Sequence, residues 1–165
     1  MGKVMTLEQL RRAREAARDE GKRFVFTNGC FDILHRGHIE LLRAARGLGD
    51  ELAVAINSDD SVARLKGIRR PIVSQDDRAA VLAALESVDF VTIFDEDTPA
   101  RVISLLKPDI LVKGSDYAVE EIVGREDVEQ AGGRVVRLPL HGGYSTEKLL
   151  RDIAARYGDV SEDGT

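Results

Sequence analysis

Apolar positions along the chain alternate between two periods. Phe24-Val25-Phe26 is a short aromatic and β-branched run stopped by the turn residues Asn28-Gly29, the pattern of a buried strand. Beyond the turn, Ile39, Leu41, Leu42, Ala44 and Ala45 fall at helical spacing. The same alternation repeats downstream. Glu51 to Asn57 reads as a strand, with Ser58-Asp59-Asp60 capping a short helix through Leu65. A helix from about Asp76 to Glu86 follows, with Ala79, Val81, Leu82 and Leu85 as packing residues. Phe90–Phe94 is the third strand. Thr98-Pro99 starts a helix with Thr98 as cap and Pro99 at the first helical position, carrying Val102, Ile103, Leu105 and Leu106. Asp109–Lys113 and Arg134–Leu138 are the last two strands, separated by a short helix near Glu126 to Gln130. Two helices frame the set. Thr6 to Glu20 opens with a capping box of Thr6 and Gln9 and bears Leu7, Leu10, Ala13 and Ala17 on one stripe, and Ser145-Thr146 begins a helix that runs to about Tyr157.

Strands that are apolar on both faces and alternate with helices predict a mostly parallel sheet covered on both sides. The expected fold is α/β, a doubly wound, Rossmann-like sheet of five parallel strands in the order 3-2-1-4-5. Ligands bind such sheets beyond the carboxyl ends of the strands at the switch point, here between the first and fourth strands. That brings the loop after Thr27 and the loop after Lys113 to one crevice, beside the segment from His141 to Thr146.

Length and composition agree with one domain. The 165 residues, 43% of them hydrophobic, suffice for a single core. Residues 1–157 are expected to form it, with 158–165 a flexible tail. No apolar run approaches the roughly 18 residues of a membrane span, and no signal-peptide core is visible, so a cytoplasmic protein is expected. Cys30 is the single cysteine, which excludes an intrachain disulfide and reads as a small buried hydrophobe. The formal net charge of −5 argues against non-specific nucleic-acid binding.

The chemistry concentrates in His35-Arg36-Gly37-His38, at the start of a helix that follows the first strand. Free amides and the positive end of the helix dipole gather there, and Gly37 allows an anion to approach the backbone. His35 and His38, three apart, can turn both rings to one side and donate N–H bonds to phosphate oxygens. Zinc is the competing use of a histidine pair, but a helix-borne pair usually sits four apart and needs a third ligand, which the neighbouring sequence lacks.

These residues resemble the HxGH nucleotidyltransferases, the cytidylyltransferase-like superfamily. His35-Arg36-Gly37-His38 matches its first signature and Gly143-Tyr144-Ser145-Thr146 its second. Phrases such as Phe26-Thr27-Asn28-Gly29-Cys30-Phe31-Asp32 and Pro108 through Tyr117 resemble the adenylyltransferase half of bifunctional ADP-heptose synthase, here as a free-standing protein. The resemblance implies attack of D-glycero-D-manno-heptose 1-phosphate on the α-phosphorus of ATP, with Mg²⁺ carried by the triphosphate and water. It implies catalytic roles for His35, His38, Lys66, Ser145 and Thr146. Asn28, Gly29, Cys30, Phe31, Gly37, Lys113, Gly143 and Tyr144 would join them around the nucleotide, and Asp32, Lys66, Arg69, Arg70 and Asp116 around the acceptor. It also implies a homodimer and a separate sugar kinase upstream. Several relatives carry arginine before the second signature, where this chain has His141-Gly142-Gly143. The alternatives are a glycerol-3-phosphate cytidylyltransferase, an adenylyltransferase for a flavin or pantetheine phosphate, and a nucleotide-sensing domain without turnover.

Overall fold

The computed structural model describes residues 3–115, 118–139 and 144–158. In chain order these form β1 (Lys3–Val4), α1 (Leu7–Asp19), β2 (Phe24–Gly29), α2 (Arg36–Arg46), β3 (Glu51–Asn57) and α3 (Asp59–Lys66). There follow α4 (Gln75–Ala83), β4 (Phe90–Phe94), α5 (Ala100–Leu106), β5 (Ile110–Gly114), a 3₁₀ turn (Val119–Glu121), α6 (Arg125–Gln130), β6 (Arg134–Leu138) and α7 (Thr146–Tyr157).

All strands pair in parallel, in the order β1-β4-β3-β2-β5-β6. The five anticipated strands therefore lie in the expected 3-2-1-4-5 order. The two-residue strand Lys3–Val4 adds an edge beside Phe90 and Val91, too short to show a period in the sequence. Alternate strand residues supply two cores. Val25, Leu52, Val54, Ile56, Val91 and Val112 face α2 and α4 through Leu42, Ala45 and Leu82. Phe24, Phe26, Ala53, Ala55 and Leu111 face α1, α5 and α6 through Leu10, Val102, Ile103, Leu106 and Val128.

Local expectations hold at α1, whose capping box forms between Thr6 and Gln9, and at α3 and α7, capped by Ser58 and Ser145. Three details differ. α5 starts at Ala100, with Pro99 as its cap residue, because the first helical bond runs from the Ile103 amide to the Pro99 carbonyl. This releases Thr98 from capping. α4 ends at Ala83 rather than Glu86, since tighter turns at Leu85 and Val88 lead into β4. Val81 is half exposed because α4 packs through Arg78, Ala79, Leu82 and Ala83, and Val81 points away from that stripe.

The largest fully buried side chain is charged. Arg78 donates to the carbonyls of Val73 (2.9 Å), Cys30 (2.5 Å) and Asn57 (2.9 Å) and to Asp59 Oδ1 (2.7 Å). A buried guanidinium is tolerable only when its donors are satisfied, and these acceptors lie at or just past the ends of β2 and β3 and in the loop before α4. Arg78 thereby ties together the loops that form the floor of the crevice.

Candidate active site

The carboxyl end of β2 turns sharply into α2. Phe31 takes a left-handed conformation, φ 47°, which costs about 1 kcal/mol in a residue other than glycine. Its buried ring supports His38, with centroids 5.1 Å apart. His38 stacks on His35 at 3.8 Å and 18° between planes. Both histidines thus project to one side of the helix start, and His35 is the cap residue of α2 without a side-chain cap bond. The Nδ1 atoms of both rings are buried and have no hydrogen-bond partner among the described residues.

Burial, reinforced by neighbouring His35, pushes His38 down to about 4. Burial also lowers His35, opposed in part by the Glu147 carboxylate. Near neutrality the pair is uncharged. Two imidazoles in such close stacking disfavour simultaneous protonation, so an arriving phosphate supplies the negative charge that would favour a proton on the pair.

β5 and α7 supply the facing side. Lys113, buried at the end of β5, donates to Asn28 Oδ1 at 2.5 Å and so links the two strand ends at the switch point. Thr146, buried in the first turn of α7, faces the crevice, whereas the Ser145 oxygen accepts from the Lys148 amide at 3.0 Å and caps the helix. The Ser145 hydroxyl proton remains available to a ligand.

The basic loop after α3 is held by Asp32. Its carboxylate accepts from Arg70 Nε (2.6 Å) and from the amides of Ile72 (2.8 and 3.0 Å) and Val73 (2.9 Å). Burial alone would raise its pKa, but the Val73 and Ile72 amides and the Arg70 guanidinium outweigh that and hold it below the usual range. Asp32 thus uses both carboxylate oxygens to fix the loop. Cys30 is shifted the other way: burial raises the thiol despite Lys66, Arg78 and Arg70, consistent with packing rather than reactivity.

A cavity of about 440 Å³ lies over these elements. Of the anticipated residues, Asn28, Gly29, Cys30, Phe31, Asp32, His38, Lys66, Arg70, Lys113 and Thr146 line it. His35, Gly37, Tyr144 and Ser145 are not among the lining residues and adjoin them, on the turn and helix start that carry His38 and Thr146. Arg69 is exposed and outside the lining. Asp116 and Gly143 lie outside the described residues.

Sequence reasoning missed Asn57 at the end of β3, Asp97-Thr98-Pro99 after β4, Glu121-Ile122-Val123 and Glu147. The position of Asn57 at a strand's carboxyl end was a usable signal; the 3₁₀ segment offered no periodic pattern. Among the described residues no group of three or more His, Cys, Asp or Glu could hold a metal ion, and no helix is long and apolar enough to cross a membrane.

A parallel sheet with a histidine pair, two lysines and a helix N-terminus around one cleft defines a phosphate-handling α/β domain. The chain belongs to the cytidylyltransferase-like family, whose model matches residues 26–140. Among its relatives, the bifunctional protein HldE of Hahella chejuensis is 55% identical over 150 residues, covering 91% of this chain and 31% of that protein. HldE of Citrifermentans bemidjiense is 51% identical over 155 residues, covering 94% of this chain and 32% of that protein. The chain spans about a third of the length of the curated relatives it matches. A lipopolysaccharide core biosynthesis protein from Thermoplasma volcanium superposes with a TM-score of 0.61 at 33% identity, over 76% of this chain and all of that one. A pantoate-beta-alanine ligase from Francisella tularensis, at 14% identity and TM-score 0.58 over 84% of this chain and 67% of that one, shares the fold alone.

Proposed function

We propose that the chain is a nucleotidyltransferase that joins the AMP moiety of ATP to D-glycero-D-manno-heptose 1-phosphate, giving ADP-heptose and pyrophosphate. The observation that carries this reading is the cleft itself, in which His38, Lys113 and Thr146 from three separate elements line one cavity with Lys66 and Arg70. The match to about a third of a bifunctional relative fits one activity of two. The ATP and heptose assignment rests on the resemblance of residues 26–32 and 108–117 to the adenylyltransferase half of ADP-heptose synthase.

In this reading an oxygen of the sugar phosphate attacks the α-phosphorus in line. The bond from that phosphorus to the bridging oxygen breaks, and pyrophosphate leaves with the electron pair. A phosphate monoester is already a competent nucleophile, so the protein has to position two anions and stabilise the leaving group. His35 and His38 would donate to the α- and β-phosphate region. Thr146 and the first amides of α7 would hold the β- and γ-phosphates, and Lys113 a further oxygen. Lys66, with Arg70, would bridge the incoming phosphate and the nucleotide. Among the described residues Lys66 forms no salt bridge and is exposed at the cavity rim, able to swing toward substrate. Asp32 acts by fixing the loop that carries Arg70. Mg²⁺ held by the triphosphate and water would supply neutralisation of charge on the leaving pyrophosphate.

The test is pyrophosphate release with Mg²⁺ and each of ATP, CTP, GTP and UTP against heptose 1-phosphate, with glycerol 3-phosphate as comparison acceptor. The reading requires release with ATP and the heptose phosphate. Release confined to CTP and glycerol 3-phosphate would retain the transfer chemistry and replace the substrates.

A further inference from the structure

Tyr144 is 46% exposed, yet one face of its ring is occupied. It lies 20° from parallel to the His35 ring with centroids 6.4 Å apart, within the range of offset stacking. A Cβ built on Gly37 would come within 3.2 Å of both the His35 ring and Tyr144 Cβ, so the segment entering α7 is seated directly on the glycine of the first motif. The result is a column of four rings, Phe31, His38, His35 and Tyr144, that begins in the core and ends at solvent.

The two inner rings of this column are the imidazoles. A functional imidazole is commonly oriented by a hydrogen bond at its second nitrogen. Here Nδ1 of His35 and Nδ1 of His38 are both buried without a partner among the described residues. With Nδ1 unpaired among these residues, ring contacts bear on their planes: His35 stacks on His38 and Tyr144, and Phe31 meets His38 tilted at 53°. Phe31, buried and fixed by its turn, closes the column from below. Tyr144 is what closes it from above.

We propose that Tyr144 is a positioning residue for His35, holding the histidine pair in the orientation that meets the phosphate chain. The proposal rests on the nucleotidyl-transfer reading. It adds that the two motifs assemble through one contact: seating the start of α7 on the α2 turn delivers Thr146 to the crevice and clamps the imidazoles in the same step. The phenol hydroxyl pairs with Arg36 and helps seat the residue, whereas the stacking on His35 needs only the ring.

The test uses the full chain with Tyr144→Ala and Tyr144→Phe. The protein has only three histidines, so ring-proton NMR signals of His35 and His38 can be assigned from single His→Gln variants. Tyr144→Ala is expected to shift the His35 signals, and to lower kcat by about tenfold or more while the KM for MgATP stays within about twofold. Tyr144→Phe is expected to restore both the signals and kcat.

Unchanged His35 signals in the alanine variant would overturn the proposal whatever the turnover. So would a loss confined to the KM for ATP, which would make Tyr144 a platform for the nucleotide. If the wild-type protein releases no pyrophosphate with any of these substrates, the functional reading fails by itself. The histidine signals recorded with and without MgATP then still decide whether Tyr144 orients the pair: shifted signals and a lost MgATP response in the alanine variant uphold it, and an intact response overturns it.

Discussion

His38 lies between Phe31 and His35, outside the strands, so an alanine there removes the proposed phosphate donor without altering a strand residue. His38→Ala is expected to keep its circular dichroism spectrum and lose on the order of 10²–10³ in kcat, the scale of one transition-state donor. A folded and fully active variant would contradict the role. The same residue makes stability depend on pH. The folded protein holds His38 down at about 4, whereas an unfolded chain binds that proton near about pH 6.5. Below pH 6.5 the unfolded state therefore takes up a proton that the folded state refuses. Its contribution is complete above about pH 6.5 and is lost as pH falls toward 4. We expect a loss on the order of 2 kcal/mol, allowing for partial solvent screening, read as the difference in urea midpoint between pH 7 and pH 4.5. His38→Gln should show a smaller difference; equal differences would contradict burial of a neutral ring. The histidines and their spacing were legible in the sequence. Their stacking was not, because it depends on the left-handed turn at Phe31 and on Tyr144 arriving from more than a hundred residues away.

At the scale of elements, the loop between α3 and α4 hangs on the Asp32 carboxylate. Asp32→Asn keeps the shape but loses the charge that Arg70 pairs with, so the loop should loosen. The expected result is faster tryptic cleavage after Arg69 or another loop cation, together with a several-fold rise in acceptor KM that exceeds any change for ATP. Unchanged cleavage and KM would show that the clamp is dispensable. α7 makes the complementary prediction. Thr146→Val removes a hydroxyl at the crevice while Ser145 still caps the helix, so ATP use should weaken with acceptor KM nearly constant. A selective loss of acceptor affinity would reverse the assignment of the two ends of the site. Periodicity located the longer helices and the central strands, which have one apolar stripe or two apolar faces; α6, with Val128 as its single apolar residue, and β6, with two arginines, carry a weaker pattern. Periodicity misplaced ends such as Ala83 and Pro99, where a turn rather than a pattern decides.

For the whole molecule, topology converts a linear order into a site. The parallel order β4-β3-β2-β5 sets Asn28 beside Lys113 across the switch point; the alternation of strands and helices narrows the topology to a few doubly wound orders, and this juxtaposition follows once the order is 3-2-1-4-5. What the sequence hid are the buried ions that hold the arrangement. In the sequence Arg78 suggests a pair with Asp76 or a neighbouring loop; it pairs instead with Asp59, and the converging carbonyls of Cys30, Asn57 and Val73 explain why it is inside. Arg14 is a second case, buried against Leu106, Lys107 and Asp109. The central claim is that this crevice passes a nucleotide directly from ATP to a sugar phosphate. It is tested most directly by a single turnover with ATP radiolabelled at the α-phosphorus, Mg²⁺ and heptose 1-phosphate, quenched in denaturant. The label is predicted to pass wholly into a sugar nucleotide, with none on the protein. Label retained on the denatured chain, or ATP left intact in the presence of the acceptor, would contradict it.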